Sequence, residues 1–310
     1  MDPVINKLIP IFILAFFGFI AGKMHLFPDN TSDALCKFLF YFSGPAVSFS
    51  NIIASDIKEI FHLRFTVAMI ILEAVMFLLL YFLFNRIFGM SGSDLIIHVL
   101  CSFYGNISYV GIPVFLSLFN NVIPNLIVIL IHGLLTIPII IFLLDRYTGE
   151  ASHKNMLQSA VKSLKNPNIF IPAIAVLLLV LKIPVPQVIQ DSIDLLGKPT
   201  TSVGMFALGL TCSKTTLRTA RNVLPFTFLS VGAKLVVSPM IAFLLGKFVF
   251  HLDQWWLNSL VILGMLPSAL NDYSISQRYH SSEDFASAYV LLSTFLFSIT
   301  ISLYMLFIRV

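Results

Sequence analysis

Apolar segments of about 20 residues recur along nearly the whole chain and are separated by short polar stretches. The hydrocarbon core of a bilayer is about 30 Å thick, so a helix needs roughly 20 apolar residues to cross it. The pattern therefore predicts an all-α polytopic membrane protein with ten spans. Their approximate bounds are 7–27, 34–54, 62–88, 95–119, 122–145, 168–186, 188–212, 222–250, 255–279 and 285–309. The sixth span is the weakest, because Lys182 and the prolines of LKIPVPQ shorten it.

The longest polar stretch, residues 146–166, separates five spans from five others. We interpret residues 1–145 and 167–310 as two five-helix repeats joined by a cytoplasmic linker. Because five is an odd number, the second repeat enters the membrane in the opposite sense to the first. The spacing therefore predicts inverted repeats.

Two of the apolar segments are interrupted by proline and polar side chains, GNISYVGIP at 105–113 and MLPSALNDYSISQRY at 265–279. Unpaired peptide groups are costly in hydrocarbon, so broken helices persist only where protein or a polar cavity satisfies them. The prolines lie about 155 residues apart, at corresponding places in the two halves. We expect the fourth helix to open around 109–113 and the ninth around Pro267.

Crossed breaks of this kind would form a polar site in the middle of the membrane. Half-helix N-termini carry partial positive charge and free N–H groups, which favours an anionic ligand. The predicted substrate-binding residues are Asn106, Ser108, Gly111, Pro113, Pro267, Ser268 and Asn271.

Three ionisable residues fall clearly inside spans, Glu73, Lys234 and Asp272. Such residues cost roughly 2.5 to 3.5 kcal/mol each on insertion scales and usually have a partner or a function. Glu73 and Lys234 occupy equivalent spans and have opposite charges, which predicts an ion pair beside the crossing; a purely structural pair is the alternative. Asp272 is the candidate for coupling to H⁺ or Na⁺, or else a partner for Lys234 or the backbone. We interpret His98 and His132 as hydrogen-bonded core residues.

Composition supports the membrane interpretation and narrows the function. The chain has 58% hydrophobic and 11% charged residues and a mean hydropathy of +0.93, outside the range of soluble domains. Three dispersed cysteines predict neither a disulfide nor a metal site, and we expect no cofactor. The formal charge of +4 is scattered, so nucleic acid is not an expected partner. The first segment lacks a basic n-region and a cleavage site, which indicates a retained span.

The distribution of lysine and arginine predicts the orientation. With the N-terminus outside, eleven of the nineteen basic residues lie on the cytoplasmic side and five on the other. The eleven are Lys23, Lys37, Arg86, Arg146, Lys154, Lys162, Lys165, Lys214, Arg218, Arg221 and Arg278. We therefore expect both termini outside the cytoplasm, in a plasma (inner) membrane.

Several motifs resemble the auxin efflux carrier family across essentially the whole chain. They are the N-x4-G-x-P of Asn106, Gly111 and Pro113, the NPN at 166–168, the VGMFALGL run at 203–210 and the LPSALNDYSISQRY segment. The short linker makes the chain more similar to compact bacterial members, described as malonate or other organic-acid permeases, than to plant members. Plant members resemble P-x4-P at the ninth-span break. Here Pro267 supplies the first proline, and Asp272 stands at the position of the second.

The resemblance implies a secondary transporter of small organic anions, such as malonate-like or auxin-like acids, and not an enzyme. It also implies an elevator-type mechanism, with spans one, two, six and seven as scaffold and spans three to five and eight to ten as the transport unit. We expect a homodimer, and the G-x-x-x-G of Gly18 and Gly22 is a candidate helix-packing or dimer face.

Two alternatives of other kinds remain open at this point. One is a relative of bile-acid/sodium symporters or cation/proton antiporters, which also have crossed helices; two adjacent acidic residues would favour antiport, and the crossing has only Asp272. The other is a transporter-like membrane receptor or nutrient sensor. Hydrolase signatures such as G-x-S-x-G and H-E-x-x-H are missing from the sequence.

Overall fold

The computed structural model describes residues 3–148, 166–214 and 223–307, and nearly all of them are helical. In the first half, α1 is Pro3–Lys23, and α2 runs from Thr31–Phe38 through the π-helical turn Leu39–Ser43 into Gly44–Ile53. There follow the single turn Ile57–Ile60, α3 (Leu63–Ile87), α4 (Gly92–Phe103), α5 (Ile107–Phe119) and α6 (Ile123–Thr148). Most of the predicted linker, 146–166, lies outside the described residues.

The described helices of the second half are α7 (Pro167–Val180), α8 (Gln187–Gly197), α9 (Thr200–Lys214), α10 (Leu224–Val249), α11 (Gln254–Met265), α12 (Leu270–Arg278) and α13 (Glu283–Phe307). The helices that precede the two breaks, α4 and α11, each have 12 residues. The division into two repeats and their inverted orientation stay predictions.

Four helices are apolar and long enough to cross a bilayer, namely α3, α6, α10 and α13. Between 39% and 44% of their most apolar windows is buried, so more than half of each window faces outward although it is apolar. Leu78, Phe82, Met240 and Phe295 are at least 60% exposed. An apolar surface of this extent is typical of contact with lipid.

The predicted seventh span, 188–212, is not one helix. It divides into α8 and α9 at a turn formed by residues 198 and 199. Proline at position 199 has no N–H to continue the hydrogen-bond ladder of α8, which explains the interruption. The sixth span is shortened as the sequence predicted, because α7 ends at Val180 and Lys182 adopts a positive φ of 53°.

Helices α1 and α9 pack with their backbones in direct contact. A methyl group added to Gly209 would lie 1.9 Å from the carbonyl oxygen of Ala15, and one added to Gly18 would lie 2.1 Å from that of Phe206. Added to Gly22, it would lie 1.9 Å from Ser213 Oγ. The G-x-x-x-G face is therefore used for packing within the chain, as small residues allow in membrane helices.

This packing predicts opposite effects for two glycine-to-alanine substitutions. Gly209→Ala should lower the melting temperature in detergent by several degrees, because its methyl group meets backbone that cannot move aside. Gly232→Ala is the matched control and should raise the melting temperature slightly. Its methyl group meets nothing within 4 Å, and the substitution replaces a glycine in a helix with a better helix former. Equal melting temperatures for the two variants would contradict the close α1–α9 contact.

Candidate functional site

The two interrupted helices meet at their breaks, as the sequence predicted. Gly105 and Ser268 form an antiparallel β-bridge, and the Asn106 N–H donates to the carbonyl oxygen of Pro267 at 2.8 Å. The non-helical residues of each break lack some of the hydrogen bonds that a continuous helix would give their peptide groups. Pairing one break with the other satisfies part of that requirement within the protein.

The first break lies earlier than predicted. The chain leaves the helix at Tyr104 rather than at 109–113, and it re-enters through a π-helical turn, Ile107–Gly111. Pro113 lies in the first turn of the following α-helix, where a missing N–H is tolerated. Asn106 begins this helix, because its Oδ1 accepts the Tyr109 N–H at 3.0 Å.

Asp272 lies in the first turn of α12, and its carboxylate caps the start of this helix at the second break. Its Oδ2 accepts the hydroxyl of Ser268 at 2.6 Å and the N–H of Ala269 at 3.1 Å. An anion at a helix N-terminus is favoured by the helix dipole. Asp272 is fully buried, and its Oδ1 has no hydrogen-bond partner within the part of the chain that the structure describes. The carboxylate thus has a structural role and one unused oxygen.

The predicted ion pair between Glu73 and Lys234 is wrong. Glu73 instead bonds His132 Nε2 through Oε1 at 2.7 Å and accepts the Thr136 hydroxyl at Oε2 at 2.6 Å. Lys234 donates to the carbonyl oxygen of Phe103, the last residue of α4, at 2.5 Å. The lysine therefore occupies a helix C-terminus, which favours a cation. Glu73 and Lys234 still interact electrostatically at longer range.

A cavity of about 300 Å³ lies beside the crossing. Its walls come from both halves of the chain, and its polar side chains are amides, hydroxyls and one imidazole. They belong to Tyr104, Asn106, Ser108, Tyr109, His132, Asn166, Asn168, Thr200, Asn271 and Ser274. None of the described lining residues is charged.

A lysine lies just behind the cavity wall. Lys234 Nζ would lie 3.5 Å from a methyl group placed on Gly105, which itself lines the cavity. Asn106 also lines the cavity, and its buried Nδ2 has no hydrogen-bond partner among the described residues. The wall at this point therefore combines positive potential with an unused donor.

Three of the seven predicted binding residues line the cavity, namely Asn106, Ser108 and Asn271. The other four do not. They are Gly111, Pro113, Pro267 and Ser268. A methyl group on Gly111 would lie 2.6 Å from Asn125 Nδ2 and 2.9 Å from Leu266 Cδ1, so this glycine permits close packing.

The other seven polar residues of the cavity were not among the predicted binding residues. They are Tyr104, Tyr109, His132, Asn166, Asn168, Thr200 and Ser274. Asn168 belongs to the NPN motif, which was a usable signal, and its Nδ2 donates to the Phe40 carbonyl at 3.0 Å. Tyr104 has no distinctive motif. It stacks on His132 with ring centroids 4.1 Å apart.

Two interrupted helices that cross beside a polar cavity, within a bundle of apolar helices, define a class of membrane transporters with discontinuous helices. Comparison with known proteins gives the family. Residues 3–305 match the family described as "Membrane transport protein", and the chain belongs to it. This confirms the predicted resemblance to auxin efflux carriers.

Similar proteins span nearly the same length. The chain is 24% identical over 306 residues to "Uncharacterized transporter YfdV" of Escherichia coli (strain K12), covering 97% of this chain and 96% of that protein. It is 23% identical over 318 residues to a "Putative malonate transporter" of Rhizobium meliloti (strain 1021), covering 97% and 95%.

The contacts of Glu73 predict which partner it depends on. In a double-mutant cycle, Glu73→Gln and His132→Gln should be non-additive by about 0.5 to 3 kcal/mol, because the two side chains share a hydrogen bond. Glu73→Gln with Lys234→Met should be closer to additive. Thermal unfolding in detergent measures both cycles, and a larger coupling for the lysine pair would contradict the geometry.

Proposed function

We propose that this protein is a secondary transporter of small organic anions, such as malonate-like or auxin-like carboxylates, and that the anion binds in the cavity at the crossing. The proposal rests chiefly on Asn106, a buried residue of the cavity wall. The Nδ2 of its side chain has no hydrogen-bond partner within the described residues. A buried donor without a partner is unfavourable unless a ligand or water completes it.

The charges around the cavity favour an anion. The N-terminus of α5 faces the cavity at Asn106 and Ile107, and a helix N-terminus attracts negative charge. Lys234 adds a positive charge behind Gly105. The negative charge of Asp272 is partly offset, because its Oδ2 accepts hydrogen bonds from Ser268 and from the Ala269 N–H at the start of α12. The potential in the cavity is therefore set mainly by donors and a cation.

The size of the cavity limits the substrate class. A volume of about 300 Å³ is at the lower end of the range for small-molecule sites. It holds a small carboxylate together with several waters. The printed name of the Rhizobium meliloti relative points in the same direction.

An elevator-type motion is supported by the way in which the cavity is divided. One wall comes from α2, α7 and α9, and the other from α5, α6, α12 and the two breaks. In the proposed assignment these are scaffold and transport unit, so a substrate bound between them would move with the second group.

Asp272 is the proposed coupling carboxylate, because Oδ1 is buried and unused by the described residues. An H⁺ or Na⁺ at this oxygen would offset its charge. A homodimer in the plasma membrane is also part of the proposal. Gly18 and Gly22 contact α9 of the same chain, so the dimer contacts would lie elsewhere.

Asn106→Ala should weaken carboxylate binding about tenfold or more, since losing a buried hydrogen bond costs about 1 to 3 kcal/mol. A thermal-shift screen against mono- and dicarboxylates and indole acids, with and without Na⁺ and at two pH values, identifies the ligand to be measured. Asn258→Ala is the matched control, a buried amide of α11 outside the cavity. Unchanged binding by a well-folded Asn106→Ala protein would place the site elsewhere.

Asp272→Asn keeps the shape of the side chain and removes its charge. If Asp272 couples transport to an ion, the variant should bind the anion but lose the dependence of uptake on the H⁺ or Na⁺ gradient in proteoliposomes. Folding is checked by size-exclusion chromatography. Ion dependence that survives in a well-folded variant would assign coupling to another residue or leave uniport.

A further inference from the structure

His132 is the one imidazole among the described cavity-lining residues, and it reaches the cavity from α6. Its Nε2 lies 2.7 Å from Glu73 Oε1, and both side chains are more than 90% buried. Thr136 donates its hydroxyl to the other carboxylate oxygen. A carboxylate with two such contacts accepts a proton-bearing nitrogen, so it holds a proton on Nε2.

The other ring nitrogen, Nδ1, has no hydrogen-bond partner in the described parts of the chain. It belongs to the ring that lines the cavity. The Tyr104 ring stacks on the imidazole with centroids 4.1 Å apart and fixes its orientation. An aromatic face also stabilises an imidazolium cation.

We propose that His132 is a proton-dependent binding residue for the substrate carboxylate. When both nitrogens carry a proton, Nδ1–H donates to the anion. When the ring is neutral, Glu73 keeps the single proton on Nε2, and the lone pair of Nδ1 faces the anion and repels it. Anion binding and proton binding at His132 therefore strengthen each other, as linkage requires.

The charged groups around His132 come from three other helices. Glu73 of α3 bonds the imidazole directly, while Lys234 of α10 and Asp272 of α12 lie at the crossing, where each binds a backbone group. The two carboxylates outnumber the lysine, so this cluster tolerates an imidazolium. An anion beside Nδ1 adds a further negative charge next to the ring and favours its protonated form.

This inference rests on the proposed function but not on the role of Asp272. The test is isothermal titration of the purified full chain with malonate at about pH 6 and pH 8, in two buffers of different ionisation enthalpy. Wild type should bind more tightly at the lower pH, by up to about tenfold per pH unit, with about one proton taken up per anion. His132→Gln keeps a donor toward Glu73 and should bind weakly and equally at both pH values, without proton uptake.

His98→Gln is the matched control. His98 is also buried and stacked on an aromatic ring, 3.9 Å from Phe285 between centroids, but it bonds the Asp94 carbonyl and lies outside the cavity. This variant should keep the wild-type pH dependence and proton uptake.

Glu73→Gln provides a second variant in case His132→Gln does not fold. It removes the counter-charge of the imidazolium, so tight binding should require a lower pH than in wild type. Malonate binding by wild type without pH dependence or proton uptake would overturn the inference and leave the proposed function intact. Proton uptake that persists in His132→Gln would also overturn it. Failure of wild type to bind at either pH, both with malonate and with the acids of the thermal-shift screen, would contradict both.

Discussion

The backbone pairing between the two breaks is the interaction on which the rest of the structure depends. In hydrocarbon, each peptide group without a partner costs several kcal/mol, so an open helix must find hydrogen bonds inside the protein. The contact between Gly105 and Ser268, with the bond from Asn106 N to Pro267 O, provides part of them. Residues about 160 positions apart in the chain are thereby held together, and the polar cavity lies beside them.

The same constraint accounts for the placement of the buried charges. Lys234 lies at the C-terminus of α4, where its ammonium group meets the Phe103 carbonyl. Asp272 lies at the N-terminus of α12 and accepts the Ala269 N–H. Each charge stabilises a helix end that the break has exposed. In this arrangement the ion-pair partner of Lys234 is not needed, which leaves Glu73 for His132.

The two walls of the cavity have hydrogen bonds of their own and one contact between them. At the crossing, the bond from Asn106 N to Pro267 O joins the breaks, and Tyr104 stacks on His132 of α6. On the other wall, Ser43 and Thr200 share a hydrogen bond of 2.7 Å between α2 and α9. The Tyr109 hydroxyl of α5 donates to the Cys36 carbonyl of α2 at 3.3 Å and so links the two walls.

The sequence by itself determined the class of protein, the two breaks and part of the site. Apolar length, proline and clustered polar residues are local properties, and they were sufficient to place Asn106, Asn271 and Asp272 at the two breaks. Family motifs added the transporter class. The start of the first break was missed because α4 ends before Tyr104 and lets Gly105 and Asn106 pair with the other half, which no local pattern specifies.

Only the tertiary structure decided which side chains meet. Glu73 faces α6 rather than α10, and Asn168 and Thr200 reach the cavity from helices that lie far away in the sequence. The charges of Glu73 and Lys234 made either partner possible, since an opposite charge or a hydrogen-bonding histidine can each satisfy a buried carboxylate. The choice between them depends on helix rotation and on the reach of each side chain. Those are properties of packing among all the helices, and no single segment contains them.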